Sequence, residues 1–274
     1  MNKLRFFWSR IVEIYRQVFS MLGKDPTILF LFITLGVLDF IALVVLFLAP
    51  SAPISYMLAP IIRTFWSDYF LHYPHNFLLL PKLFSHAHFL ISTVVGVFIT
   101  GLIVKKIEAE VTGQRLSTLA AAGVVARKYF SLVLVWLVTY AFFTLALKGI
   151  LPLLPRNMWI HLAGGFLLSL FIQSVFVFLI PALILLEQGF FKGLWEGFRF
   201  GMKNILLTSV LIAVPMFLAV AVSFAKLYTS YFVRVRPEIV LWVIAGGVLI
   251  SLLIDILITS SATLLFLKVR TKKS

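Results

Sequence analysis

The chain contains no cysteine, which excludes disulfides, thiolate metal sites and a thiol nucleophile. Charge is scarce, and acid scarcest. Only 12% of residues are charged, and 10 Asp and Glu face 24 Lys and Arg, whereas soluble domains carry about a quarter charged residues. Catalytic signatures are missing too: there is no Gly-x-Ser-x-Gly, no His-Glu-x-x-His, no Walker A sequence and no acidic metal cluster. No enzyme and no cofactor is therefore expected. What is present is apolar: 62% of 274 residues are hydrophobic, with 28 phenylalanines. A soluble fold of this size has no interior large enough for them, since ordinary folds already leave over half their surface apolar. The net charge of +14 would point to nucleic acid only if the cations formed one patch. They lie instead between long apolar runs, so the partner expected is a bilayer and not nucleic acid.

Six stretches, about 26–49, 86–104, 129–151, 161–186, 205–225 and 239–267, reach the roughly 20 apolar residues that a membrane crossing needs. In lipid each backbone polar group must pair within its own segment, so these runs read as helices. Their unbroken hydrophobicity excludes the alternation of a barrel. The fold class is an all-α polytopic membrane protein of six spans in three hairpins, each preceded by a cytoplasmic interfacial amphipathic helix. The second span reads as the shortest and the last as the longest. The first is too long for a signal-peptide apolar region, carries Asp39 at its middle and ends at a poor cleavage sequence. It reads as a retained span. With the N-terminus inside, residues 1–25, 105–128, 187–204 and 268–274 hold 17 of the 24 Lys and Arg. The positive-inside rule then places both termini in the cytoplasm.

Residues 3–22 form one amphipathic helix, with Leu4, Phe7, Trp8, Ile11, Tyr15, Val18 and Leu22 on one face and a basic polar face opposite. Such a helix suits the inner interface. Its Arg5, Arg10, Arg16 and Lys24, with Arg127, Lys128 and Lys203 from later segments, are the candidate interfacial cations for anionic phospholipid headgroups. Two internal segments align on Gly113 and Gly189: small residues coincide at offsets of 0, 4 and 8, large apolar ones at 6, and Arg127 and Lys203 at 14. The chain, a single membrane domain over 1–274, thus reads as three units at about 1–104, 105–186 and 187–267, followed by a basic tail at 268–274. A plainer reading is that any cytoplasmic linker of a polytopic protein looks basic and amphipathic.

Gly189, Gly193, Gly197 and Gly201 recur every four residues. Four helical glycines cost roughly 1 kcal/mol each relative to alanine, so a close backbone approach along a small-residue stripe is expected to offset them. The partner is either another segment of the same chain or a second copy of it. Pro181 near a span end, Glu187 just beyond it, this glycine-rich helix and Lys203-Asn204 before the next span form a run that resembles the six-span bacterial inner-membrane family of YciC-type proteins and the membrane domain fused to some glycerophosphodiester phosphodiesterases. The likeness covers the whole chain in layout and residues 177–207 in motif. It implies a fold and an address in the bacterial cytoplasmic membrane. It does not imply an activity, and the phosphodiesterase role is not carried over.

Carboxylates inside a span are functional candidates, because a buried charge costs several kcal/mol there. Asp39 and Asp255 both fall about 18–20 Å from the cytoplasmic face at 1.5 Å per residue. Adjacent to one another, they would not both ionise cheaply; such a pair suits a proton or a cation. The plainer reading gives each a partner such as Thr34, Thr259, Ser260 or a backbone carbonyl. Gln173, mid-span, reads as an interhelical hydrogen-bond donor rather than a ligand, and Glu187 with Lys203 as an ion pair. The long loop at 50–85 and the residues after it carry Asp68, His72, His75, His86 and His88. His72 and His75 would share a helix face one turn after Asp68, a weak zinc or copper pattern; pH sensing and ordinary interfacial histidines are the alternatives. Under a transporter reading, Pro181 and Pro215 would mark breaks in two spans. The sequence reads as a membrane-organising, lipid-associated or partner-binding protein, possible as a homo-oligomer. The alternative is a transporter or channel that uses Asp39 and Asp255.

Overall fold

The structure is a computed structural model that describes residues 2–114, 116–155, 157–186 and 189–271. Those residues are helical almost throughout and include no strand. In chain order the helices are α1 (Asn2–Lys24), α2 (Pro26–Phe47), α3 (Ser55–Phe65), α4 (Asn76–Ile91), α5 (Val97–Thr112), α6 (Thr118–Arg127), α7 (Tyr129–Ile150), α8 (Met158–Phe176), α9 (Leu179–Leu185), α10 (Phe190–Lys203), α11 (Ile205–Leu227), α12 (Thr229–Val235) and α13 (Glu238–Thr271). Among the described residues six helical stretches are long and apolar enough to cross a membrane: Pro26–Phe47, Asn76–Thr112, Tyr129–Leu153, Met158–Leu185, Ile205–Leu227 and Glu238–Arg270. This is an all-α polytopic membrane protein.

The second span corrects the sequence reading. It is 37 residues long, against 33 for the last, and begins ten residues earlier than hydropathy placed it. Lys82, His86 and His88 dilute the apolar signal over residues 76–91, but a helix needs only paired backbone. Phe77, Leu79 and Leu80 bury one side of that extension. A π-helical bulge at Ser92–Gly96 joins α4 to α5.

The two prolines behave differently. The fourth span is interrupted between α8 and α9 at residues 177 and 178, just before Pro181. A proline ring crowds the carbonyl four residues back and supplies no N–H to it, which accounts for the break. Pro215 leaves α11 continuous from Ile205 to Leu227, so it does not mark the break that a transporter reading would use. The carbonyl that Pro215 leaves without an amide donor is that of Leu211, and the Tyr15 hydroxyl of α1 donates to it. The interfacial helix thus repairs the span.

Each amphipathic helix joins its span through one non-helical residue: Asp25, Lys128 and Asn204. Lys128 and Asn204 both lie 15 residues after the aligned glycine, and α7 and α11 both start at the next position.

Two compact units divide the chain, and they cut across the three sequence units. Unit 1 comprises residues 1–32, 93–217 and 254–274; unit 2 comprises 33–92 and 218–253. In unit 1, α10 packs along α8 and α9. A Cβ on Gly197 would meet the Leu179 backbone and the Phe178 carbonyl at 3.0 Å, one on Gly201 would fall on the Val175 carbonyl, and Gly193 faces Leu183. These glycines let two helices of one chain approach each other, which occupies the stripe and leaves it no face for a second copy. Gly189 is not part of it: it is the residue before α10 and has nothing near its Cβ position. Phe178, Phe200 and Phe266 pack around this contact with ring centroids 4.7 to 6.3 Å apart. Unit 2 is centred on Leu43, Phe77, Leu80, Val233, Val240 and Ile244, with a smaller cluster of Ala49, Ile62 and Leu79.

Candidate functional site

Unit 1 contains a cavity of about 320 Å³ between its spanning helices, walled by α5, α7, α8, α9 and α13. The α8–α9 break borders it, with Val177, Leu179, Ile180 and Pro181 on its wall, so the proline that interrupts the helix also shapes the space. Two residues expected to matter meet here. Asp255 of α13 and Gln173 of α8 both line the cavity, and Asp255 is exposed although mid-span. The Gln173 Oε1 atom is buried and accepts no hydrogen bond. Thr100 and Thr139 add hydroxyls whose protons go to their own helices, donated to the Gly96 carbonyl and the Val135 carbonyl at 2.8 Å each. Trp136 and Tyr140, one turn apart on α7, stack with ring centroids 5.2 Å apart and planes 7° from parallel. Sequence reasoning missed this aromatic wall, because among 15% aromatic residues one i, i+4 pair does not stand out.

Asp39 belongs to unit 2 and Asp255 to unit 1. The partner of Asp39 is His88 of α4, whose Nδ1 donates to both carboxylate oxygens at 3.0 and 3.1 Å. The Asp39 residue is 8% exposed, and a buried carboxylate is retained only with such a partner. The Ser92 hydroxyl at the π-helical bulge meets His88 Nε2 at 3.5 Å, the outer limit of a hydrogen bond. Phe84 stacks on the imidazole with ring centroids 6.1 Å apart. Nothing in one sequence reveals a pairing across 49 residues. The i, i+4 spacing of His88 and Ser92 was the available part of the signal.

The other histidines do not gather. His72 Nε2 lies 3.3 Å from Asp68, which also takes Arg63 Nε at 2.6 Å; hydrogen bonds from Arg63 and His72 hold the Asp68 carboxyl below its usual range. His75 instead stacks on Tyr69 at 3.8 Å between ring centroids, because the short turn Asp68–Leu71 ends at an extended His72 and no helix aligns the two imidazoles. His86 Nδ1 contacts the Lys82 carbonyl at 2.7 Å. Among the described residues no group of three or more His, Asp or Glu is placed to hold a metal ion, so the structure does not bring His72, His75, His86 and His88 together as one ligand set.

The candidate interfacial cations separate into two sets. Lys128 is spent inside the protein: its Nζ donates to the Leu183 carbonyl at 2.7 Å, and Arg270 donates to the Leu185 carbonyl at 2.8 Å. Both serve the C-terminus of α9, where carbonyls without intrahelical donors carry partial negative charge. Lys106, largely buried, reaches Asp25 at 3.4 Å and the Leu116 carbonyl at 3.2 Å. Burial raises the Asp25 carboxyl, but hydrogen bonds from Thr27 and Lys106 with the lysine charge outweigh it and hold the group below its ordinary value. Lys268 pairs with Glu13 at 2.7 Å. Arg16, Lys24, Arg127 and Lys203 are exposed, and Arg10 and Lys203 share a shallow depression at the start of α11. The Arg5 side chain and Glu187 lie outside the described residues.

Each amphipathic helix also has an exposed apolar stripe beside its buried one. On α1 the buried residues are Ile11, Ile14, Val18 and Met21, while Trp8, Val12 and Phe19 are exposed with Tyr15 between them. On α10 the exposed line is Phe191, Trp195 and Met202 with Phe198. On α6 and the first turn of α7 it is Leu119, Gly123, Ala126 and Phe130. All three follow the same spacing of i, i+4, i+7 and i+11.

Fold and site together define a polytopic helical membrane protein with a mainly apolar cavity between its spanning helices and apolar-faced amphipathic helices. Compared with protein-family models, curated proteins and solved structures, the chain matches none.

Proposed function

We propose that this is a non-enzymatic protein of the bacterial cytoplasmic membrane that organises the lipid around it, with both termini in the cytoplasm. The observation that carries the reading is the repeated exposed apolar stripe on α1, α6 and α10. An exposed line of Trp, Phe and Leu next to exposed Arg16, Arg127, Lys192, Arg199 and Lys203 has the composition of a helix seated at the headgroup boundary. There apolar residues enter the acyl region and each cation contributes about 1 kcal/mol toward an anionic leaflet. The resemblance to YciC-type proteins supports the same address.

Electron spin resonance of spin-labelled lipids tests this. With the full-length protein in phosphatidylcholine bilayers, labelled phosphatidylglycerol is expected in the motionally restricted shell several-fold above labelled phosphatidylcholine. Replacing those five cations by Gln is expected to abolish the preference. Equal partitioning of both labels around the wild-type protein would overturn the proposal.

A further inference from the structure

The cations of unit 1 are not all placed alike. Lys106, Lys128, Lys268 and Arg270 each reach a carboxylate or a backbone carbonyl of the protein. Arg10 of α1 and Lys203 of α10 make no hydrogen bond or ion pair to any described residue, yet they meet in one depression of about 340 Å³ at the start of α11. A lysine in the last turn of a helix commonly serves the free carbonyls there. At the end of α10 that work falls to Asn204. The Phe200 carbonyl accepts from the Asn204 amide at 3.1 Å and from its Nδ2 at 2.9 Å, and the Gly201 carbonyl takes the same amide at 3.2 Å. Lys203 is thereby left over.

Among the described residues no Asp or Glu lines the depression, so two like charges face one space without a counter-charge in it. An anion placed there turns their repulsion into attraction. The chemistry of the two cations suits a phosphate: arginine offers a planar fork of N–H donors to two of its oxygens, and lysine adds a compact point charge. The rest of the lining is apolar, with Phe7 on α1 and Leu206, 78% exposed, on α11. A free anion gains nothing from those side chains, whereas the ester and acyl stem of a lipid loses water against them. Ile205 begins the fifth span, which sets the depression at the edge of the hydrocarbon, where headgroups lie. A zwitterionic headgroup would bring its own ammonium beside two cations; an anionic one does not.

We propose that this depression binds one anionic phospholipid, its phosphate oxygens held by Arg10 and Lys203 and its glycerol ester region against Phe7 and Leu206. The inference deepens the lipid reading above and rests on it for the address at the membrane surface. It concerns a single stoichiometric site, not the averaged shell of lipid around the protein.

Equilibrium binding to the full-length protein, delipidated in a non-ionic detergent, tests it. The probes are dihexanoylphosphatidylglycerol, dihexanoylphosphatidylcholine and inorganic phosphate, each corrected for partitioning into empty micelles. Phosphatidylglycerol is expected to bind once per chain and about tenfold or more tightly than either of the others, as two cations at an anionic headgroup imply. Arg10→Gln and Lys203→Gln are each expected to weaken it about fivefold, at an unchanged thermal unfolding midpoint, and to leave phosphatidylcholine as it was. Equal affinity of the wild-type protein for the two lipids would overturn the proposal. So would inorganic phosphate binding as tightly as phosphatidylglycerol, which would make this a site for a free anion, and so would full phosphatidylglycerol affinity in a folded Arg10→Gln protein. Arg10 is not among the five cations of the spin-label test, so the two readings fail separately. Arg10→Gln is expected to lose the single site and keep the preference of the shell. Equal shell partitioning around a wild-type protein that still binds one phosphatidylglycerol would overturn the shell reading alone.

Discussion

Tyr15 shows how much one side chain decides. A proline within a spanning helix leaves a carbonyl in hydrocarbon with no amide donor, a deficit that membrane helices make good with side chains or neighbours. Here a hydroxyl from a different helix supplies the proton to Leu211. Burial also pushes the Tyr15 hydroxyl up to about 12, so it keeps that proton throughout the neutral range. Tyr15→Phe is expected to cost about 1–3 kcal/mol, the penalty of an unmet buried acceptor, read as a lower thermal unfolding midpoint in detergent. The cost should shrink in a Pro215→Ala background, where the alanine amide satisfies Leu211 itself. A full penalty in both backgrounds would mean that the hydroxyl acts elsewhere. Sequence reasoning placed Tyr15 on the apolar face of α1 and Pro215 in a span; their meeting across 196 residues was not legible, because neither residue carries a mark of the other.

Among the elements, α10 shows what a periodic pattern reveals and what it hides. Glycine every fourth residue pointed to a close backbone approach, and its alternatives were a neighbouring segment or a second chain. The structure puts α8 and α9 against Gly193, Gly197 and Gly201, and a Cβ tolerates no displacement of a backbone carbonyl as it would of a flexible side-chain tip. Gly201→Ala is expected to destabilise by several kcal/mol, within the range of overpacked cores or above it. Gly189→Ala, with open space around it, should change stability by no more than about 1 kcal/mol, the scale of an N-cap substitution. Comparison of the two unfolding midpoints checks the assignment; equal losses would remove it. The sequence ranked these four glycines alike, since spacing alone does not say where a helix begins. The amphipathic pattern of α1 was likewise read as one apolar face, although the structure divides it into a buried line and an exposed one.

At the scale of the whole molecule, topology is the accessible test. The chain has no cysteine, so single cysteines report without background. In intact bacterial cells Ser67→Cys and Tyr56→Cys, both exposed in the loop between the first two spans, are expected to react with a membrane-impermeant maleimide, and Lys24→Cys and Thr112→Cys only after the membrane is permeabilised. The reverse pattern would invert the proposed orientation. What the sequence determined by itself was the class of structure and the existence of six spans: hydrocarbon admits only backbone that pairs internally, and that demand is local, so it is written in consecutive residues. The boundary it misplaced furthest was in the second span, where polar side chains obscure a helix that hydropathy does not measure. Only the tertiary structure decided the partners. Asp39 meets His88, Lys128 caps α9, and Gln173 and Asp255 face one cavity. Each of these contacts joins distant segments through a short-range force, and such contacts exist only once the helices have packed.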